Sequence, residues 1–558
     1  MSALGAALLD TLGRLLPTST ATDGGVPAPL ARVVGALAEA LEQGELAIDL
    51  EGPAPWLLPD GSTGTGAEAD WPLAHLAALR EVGWLVEADE LIAHPEAPVV
   101  REGRWLRWRR WHEQLVTCRE ALIARGRTEL SPGGSTAAPV AIPGLDPQQC
   151  RAVAALLTHQ LVLLSGGPGT GKTSTVVQML AAALRQNPAL RMHLAAPTGK
   201  AAARLAQAVT TGSAALEAPL SSALQSLPRS TLHRLLEARA QGAGFRRGRQ
   251  RPLELDLLVV DEVSMVDLPL MSALLEALPP QARLLLVGDP AQLPPVGPGA
   301  VLLELCRPEN LAALGAAAVH LQTTYRNDGA IAELAGQLRR CNQRGPALLT
   351  ALQPALAKLN TAANVTWQQA PGNRPPTAVL ERLRQHQHRL ATLAQSGRDA
   401  ELLEELEQLI VLSPMQRGAW GVEGIHRTLL GDRWRGPMHL WPEGTPVLNR
   451  RNQEELELAN GDVGVLVSRS GERLVLFTEG RLLHPAQLGA AEPALALTVH
   501  KAQGSQYAEV LLLLPPHPRL DARLLYTGLT RARQHAWLYG SEAVANSASS
   551  LASPDRAA

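Results

Sequence analysis

Aromatic side chains are scarce, at 3% of 558 residues with only two Phe and four Tyr. That excludes an interior built on stacked rings, so Ala and Leu must fill most of the core. Cysteine is scarcer still. Cys118, Cys150, Cys306 and Cys341 stand far apart, with no CxxC or Cys/His spacing. This argues against a zinc or iron–sulfur site and fits the reducing cytoplasm. An excess of either charge is also missing: 51 Lys and Arg stand against 53 Asp and Glu, a net charge of −2. A basic coat for nucleic acid is thereby excluded, and any such contact must be a local groove. No run of about 18 apolar residues is present, so no membrane span is expected. The opening MSALGAALLDTLGRLLP lacks a basic n-region and reads as an amphipathic helix rather than a signal peptide. No repeat of fixed period is found. With 46% hydrophobic and 19% charged residues the composition is ordinary globular, and the length suggests three or four domains.

What is present centres on residues 161–180, LVLLSGGPGTGKTSTVVQML. Leu161 to Leu164 form a short apolar run that predicts a buried strand. Gly166, Gly167, Pro168, Gly169, Thr170, Gly171, Lys172 and Thr173 follow, and Ser174 leads into a helical segment. This is G-x-x-x-x-G-K-[ST] between a strand and a helix, the setting a P-loop requires. Its glycines let backbone N–H groups surround phosphate oxygens, and the helix points its positive end at the same place. Lys172 is expected to reach the β- and γ-phosphates, and Thr173 to offer a hydroxyl to Mg²⁺. The pattern implies a nucleoside triphosphate, not what its energy is used for.

Around this loop the chain divides by composition. Residues 1–125 form a first unit with helical Leu spacing and six of the eleven Trp. Its segment Arg104 to Trp111, RWLRWRRW, alternates basic and aromatic side chains. That suits packing under Arg stems, a protein partner or base stacking. Residues 126–144 are rich in Gly, Pro, Ser and Thr and read as a linker. From Leu145, strands and helices alternate, which predicts a parallel sheet covered on both faces. Asp146 and Pro147 suit the N-cap and first position of a helix. Leu257 to Val260 ends in Asp261 and Glu262, paired carboxylates where open α/β sheets bind ligands. Asp261 is expected to hold Mg²⁺ and Glu262 to polarise an attacking water. Gln292, after the run Arg283 to Val287, is placed to sense a γ-phosphate. Residues 340–400 are Pro- and Ala-rich and poorly patterned, and RLRQHQHRL within them reads as an exposed helix rather than a metal site. Alternating runs at 437–492, broken by Asn460-Gly461-Asp462 and Ser470-Gly471-Glu472, signal hairpins. Residues 546–558 read as a disordered tail.

The segments GGPGTGKT, APTGKAA (196–202), TLHRLL (231–236), VVDEVSMVD (259–267), GDPAQLPPVGPGA (288–300), TTYRN (323–327), LTVHKAQGSQY (497–507) and YTGLTRAR (526–533) occur in that order. Together they resemble the 5′-to-3′ branch of superfamily 1 helicases, and within it the RecD family, the alpha subunits of exodeoxyribonuclease V (RecBCD). The likeness is strong over about 145–540 and weaker through WLRWRRWHEQLV (105–116). It implies an ATP-dependent DNA helicase and single-strand translocase working on DNA ends in double-strand break repair. RecB- and RecC-like subunits would be its partners. It implies two RecA-like motor domains, 145–330 and 331–545, with a small SH3-like β-barrel inserted at about 437–492 and a mainly α, partner-binding N-terminal domain.

Residue by residue, the resemblance gives Gln149 as the adenine reader and Gln292 as the residue coupling hydrolysis to movement. Arg326 and Arg531 approach the γ-phosphate from the second motor domain. Thr198, Lys200, His233, His500 and Lys501 line the single-strand track, although His233 and His500 also suit helix packing or capping. Gln506 stands where the family commonly has Glu, which keeps a hydrogen-bond acceptor and loses the charge.

Three competing readings stay in view. One is a standalone helicase without RecB- and RecC-like partners. Another is a structural subunit with a dead motor, which predicts loss of Lys172, Asp261, Glu262 or an arginine, and all are present. The last makes this chain the nuclease, but no further carboxylate–lysine cluster supports two-metal cleavage. Nuclease activity would belong to a partner.

Overall fold

A computed structural model of the chain describes residues 3–14, 26–42, 44–52, 54, 70–130, 142, 144–239, 244–323, 329–341, 343, 345–359, 364–370, 374–456, 458–515 and 520–541. Strand Leu161–Gly166 is buried at all six positions, as an apolar run in a doubly covered sheet requires. It lies in a six-stranded sheet ordered Ala318–Leu321, Leu161–Gly166, Arg283–Gly288, Leu257–Val260, Met192–Ala196, Arg229–Thr231. Every pairing in it is parallel. Side chains alternate between two cores. Leu161, Leu163, Leu258, Val260, Leu284 and Leu286 face helix Leu268–Ala277. Val162, Leu164, Leu257, Val259, Leu285 and Val287 face helices Pro147–Thr158, Lys172–Gln186 and Gly199–Ser213.

A second parallel sheet runs Val365–Ala370, Ala532–Ser541, Tyr507–Leu514, Leu409–Ser413, Ala496–Thr498. Helices Ala330–Arg340, Gly345–Leu359 and Ala522–Leu529 pack on one face, and Thr377–Ser396 and Val422–Leu430 on the other. Between Pro446 and Pro493 lies a five-stranded antiparallel sheet. Its tightest hairpin turns at Ser470-Gly471, both with positive φ, between the paired residues Arg469 and Glu472. That is the backbone a two-residue loop needs to match strand twist.

The structure departs from the sequence expectations in three places. The N-terminal unit carries a four-stranded sheet, Ala47–Asp49, Trp105–Trp108, Val99–Glu102, Leu85–Glu87, beside its helices. Strands of three or four residues are too short to show a period. Second, helix Arg109–Arg127 runs past the expected break at 125. Leu115, Cys118 and Leu122 form one stripe, and they belong to the core of the first motor domain. Arg125 anchors the same helix by donating to Pro279 O and Ala282 O, each at 3.0 Å. The expected linker begins only beyond Leu130, whose N–H donates to Thr158 O at 2.8 Å, and its residues 131–141 and 143 lie outside the described residues, as does the expected tail. Third, the expected helix around His386 is exposed on one side only, with Arg384, Gln385, His388 and Arg389 outward and Leu383 and Leu390 buried. His386 is buried and its Nδ1 lies 3.0 Å from Glu405 Oε1, within the 20-residue helix Thr377–Ser396.

The Trp- and Arg-rich segment is turned inward. Leu106 and Trp108 are buried in the N-terminal core, and Arg107 is buried against Glu102. Trp105 lies beneath the guanidinium of Arg307 from the first motor domain, 4.6 Å from ring centroid to Cζ. Arg119 bridges Glu102 and Glu304 at 3.3 Å each. These side chains dock the unit onto the motor. Among the described residues no helix is long and apolar enough to cross a membrane.

Because Leu122 is fully buried in the motor core, Leu122→Ala should lower stability by about 2–5 kcal/mol. Urea unfolding followed by far-UV circular dichroism measures this, and an unchanged midpoint would place the helix outside the cooperative core.

Candidate nucleotide site and strand contacts

The loop after Leu161–Gly166 turns through Gly169 and Gly171, at φ +76° and +77°. This left-handed backbone suits glycine and would strain other residues. Helix Lys172–Gln186 starts directly behind it. Thr170 Oγ1 donates to Gly167 O at 2.8 Å and Lys172 Nζ to Gly166 O and Gly167 O at 2.7 and 2.9 Å. Pro168, Gly169 and Thr173 are half-buried and Ser174 is exposed. The lysine is therefore held over the loop, at the positive end of the helix.

Two strands across the sheet, Leu257–Val260 ends in Asp261, whose Oδ1 accepts from the N–H of Glu262 at 2.9 Å. Glu262 occupies the left-handed region, φ +52° and ψ +42°. That backbone costs a non-glycine residue roughly 1–2 kcal/mol, strain of the kind active sites retain. Burial, then the neighbouring Glu262 carboxylate, push the Asp261 carboxyl up to about 7, against the pull of Lys172 and Arg204. The strand between them, Arg283–Gly288, delivers Asp289 and Gln292. Gln292 is buried, and its Oε1 has no partner among the described residues.

The second motor domain closes on this edge. Leu293 N donates to Thr527 Oγ1 at 2.8 Å, Gln503 Nε2 to Leu293 O at 3.2 Å, and Tyr526 OH to Asp289 Oδ2 at 2.7 Å. Arg204 Nη1 crosses to Gly504 O at 2.8 Å. Arg531 is buried at the same seam, donating to Thr527 O at 3.0 Å and Ser505 O at 3.3 Å, and its charge bears on Arg204. Gln506 is half-buried beside Ser505. Arg326 lies outside the described residues.

Gln149 is buried at the third position of helix Pro147–Thr158, where its Oε1 accepts from Asp146 N at 3.0 Å in a capping box. The amide thus has a structural use, which leaves only its NH₂ for a base. Thr198 caps helix Gly199–Ser213, and His233 follows the adjacent strand end with its ring exposed, 5.9 Å from Phe245. Lys200 is half-buried rather than open, with Nζ 5.7 Å from the Tyr507 ring. Burial, then Arg204, lower its pKa to about 8, opposed by Glu407 and Asp462. His500 is exposed, while Lys501 is ion-paired to Glu492. A Cβ built on Gly504 would lie 3.4 Å from Thr198 Oγ1, so the segments 196–202 and 497–507 of the two domains abut.

The AAA domain family model matches residues 149–298, and the UvrD-like helicase C-terminal domain matches 493–539. The chain is 37% identical over 524 residues to the RecBCD enzyme subunit RecD of Mycolicibacterium smegmatis, covering 90% of this chain and 88% of that one. To the same subunit of Mycobacterium tuberculosis it is 35% identical over 542 residues, covering 92% and 88%. The chain belongs to the RecD family of ATP-dependent DNA helicases. An ATP-dependent RecD2 DNA helicase of Deinococcus radiodurans is 33% identical over 474 residues, covering 83% of this chain and 58% of the relative. RecD-family sequence motifs therefore coincide with the seam, but four seam residues escaped sequence reasoning. Asp289, Tyr526 and Thr527 sit inside segments already singled out, three to five positions before Gln292 and Arg531. Arg204 carries a weaker signal, four residues beyond Lys200 on one helix face.

The Asp261 carboxyl holds its proton to about pH 7 in the fold, against 3.8 for the free side chain. The folded state therefore binds more protons between those values, and stability is lost as pH rises through that window. Asp261→Asn should stabilise the nucleotide-free chain more at pH 8.5 than at pH 5. Equal melting shifts at both pH values would refute the assignment.

Proposed function

We propose that this chain is the 5′-to-3′ motor subunit of a RecBCD-like exodeoxyribonuclease V, working on DNA ends in double-strand break repair. The observation that carries the reading is the seam. The P-loop, the paired carboxylates and the buried Gln292 end three adjacent strands of one domain, and Arg531 and the Tyr526–Thr527 pair come from the other.

ATP would lie between the two, its phosphates under Lys172 and the loop N–H groups 167–173. The Thr173 hydroxyl and the Asp261 carboxylate are hard oxygen donors that suit Mg²⁺, which would screen the phosphate charge when bound. Glu262 would accept a proton from the attacking water, and the unpartnered Gln292 Oε1 would orient it. Arg531 and Arg326 would meet the charge that develops on the γ-phosphate. Contacts from both domains to one phosphate exist only in the closed state, so ATP favours closure and hydrolysis releases it. Thr198, His233, His500 and Lys501 would grip the strand alternately through that cycle. The antiparallel sheet between Pro446 and Pro493 reads as the family's SH3-like insertion. With the Trp-rich strand docked inward, RecB- and RecC-like partners would use the outer face of the N-terminal unit, where Leu73 and Ile92 are exposed.

Lys172→Gln should abolish DNA-stimulated ATP turnover with the fold intact, and turnover at the parent rate would reject the site. Single-strand affinity should fall with salt by about 0.7 log units per log salt for each phosphate neutralised, and a flat response would exclude a backbone-tracking groove. Unwinding of tailed duplexes should need a 5′ tail. If the chain unwinds as well alone as with RecB- and RecC-like chains, it is a standalone helicase instead.

A further inference from the structure

One cation at the seam has no role in this scheme. Arg339 lies in the last turn of helix Ala330–Arg340, the first helix of the second motor domain. Ile331, Leu334, Ala335 and Leu338 bury that helix in the domain core, which fixes where the next side chain can go. The Arg339 guanidinium lies against the P-loop: a Cβ built on Gly167 would sit 2.9 Å from its Cζ and 3.3 Å from Nη1. The carbonyl of that same residue receives Lys172 Nζ. Two cations from two domains thus converge on one loop residue. Among the described residues no carboxylate is ion-paired to Arg339. Like charges brought together in this way repel until a polyanion separates them.

The placement of Arg339 is itself braced. Its Cζ lies 5.4 Å from the centroid of the Tyr526 ring, and Tyr526 OH donates to Asp289 Oδ2 at 2.7 Å. Tyr526 and Asp289 are both buried. Asp289 opens the loop that carries Gln292. The cation is therefore tied, through one ring and one hydrogen bond, to the segment expected to sense hydrolysis.

We propose that Arg339 is a further triphosphate ligand supplied across the seam, held over Gly167 by the Asp289–Tyr526 pair and contacting the terminal phosphate of bound ATP. This rests on reading residues 166–173 as the triphosphate site. A planar fork over an aromatic face suits bidentate phosphate recognition better than an ammonium does. The contact exists only when the domains close, so it distinguishes ATP from ADP.

The test uses the full chain with single-stranded DNA and Mg–ATP. Arg339→Ala should lower kcat about a hundredfold or more, in the manner of arginines that act across an interface. It should weaken binding of a non-hydrolysable ATP analogue and leave ADP binding within about threefold. Arg339→Lys should recover analogue binding in part but not kcat. Tyr526→Phe keeps the ring and loses the bond to Asp289, and should lower kcat about tenfold with KM little changed. Tyr526 is thus a positioning residue, and this split between kcat and KM is what a purely structural role would not produce. If Arg339→Ala melts early, Arg339→Gln replaces it, since it keeps most of the stem. Lost turnover in a stably folded Gln variant supports the proposal, and parent-like turnover overturns it. Parent-like kcat and analogue affinity in Arg339→Ala, with Lys172→Gln inactive, would also overturn it while the nucleotide site stands. Parent-like turnover in both variants would reject the site itself.

Discussion

The structure depends on how one short loop is held by two domains. Residues 289–293 leave a central strand of the first motor sheet and enter the second domain, where Leu293 packs in its core. Burying a leucine is worth roughly 1.5–3 kcal/mol, and each hydrogen bond to this loop adds about 1 kcal/mol net. A joint of that size is strong enough to set the relative position of two domains. It is also weak enough for phosphate contacts to compete with it. Since Leu161–Gly166 and Leu257–Val260 flank the strand that carries the loop, any shift of the loop is a shift relative to Lys172 and Asp261.

Several costs gather at the same place. Glu262 holds a left-handed backbone, Gln292 keeps an amide oxygen without a partner among the described residues, and the like charges of Arg204 and Arg531 bear on each other at the seam. Each is unfavourable in the protein alone, and each is relieved by a ligand that brings negative charge and a hydrogen-bond donor. Asp261 follows the same logic, since burial and Glu262 hold its proton until a cation makes the carboxylate the better state. The sheet itself shows no such tension: strands Leu161–Gly166 and Leu257–Val260 are buried at every position, and the pairings run without a register shift. These costs lie at the strand ends, where a bound nucleotide can act on them.

How much of this was legible in the sequence varies with the range of the interaction. The P-loop, the cap at Asp146 and the carboxylates at 261–262 are local patterns, fixed by neighbours within a few residues, and they could be read directly. The parallel sheets followed from strand–helix alternation. The short strands of the N-terminal unit were not legible, because three residues carry no period. Nor was the membership of helix Arg109–Arg127 in the motor core, because an amphipathic stripe states that a face is buried and not what covers it. Arg339 gave no signal at all. It is one basic residue at the end of an amphipathic helix, and its meaning comes from Gly167, far away in the chain. The same limit explains His386, whose polar neighbours suggested exposure although Glu405 makes its burial affordable.

The residues proposed to contact the strand bear on how chemistry and grip can be linked. Lys200 is not in an open groove but beneath Tyr507, beside Glu407 and Asp462 of the second domain. Lys501 is held by Glu492, which also faces Arg450 at 3.5 Å. A DNA phosphate reaching Lys501 in the proposed track would have to replace the Glu492 carboxylate, whereas Lys200 feels the Glu407 and Asp462 charges without an ion pair among the described residues. Exchanging one anion for another costs far less than desolvating a free lysine, so grip can be made and lost repeatedly at small net change. Both carboxylates whose charge bears on Lys200 belong to the second domain. Opening that seam would withdraw Glu407 and Asp462 and leave the lysine seeking a phosphate. Closing it would return them. In the proposed cycle, the same relative motion that exposes or completes the triphosphate site would also set the competition for the strand, with no separate coupling element required.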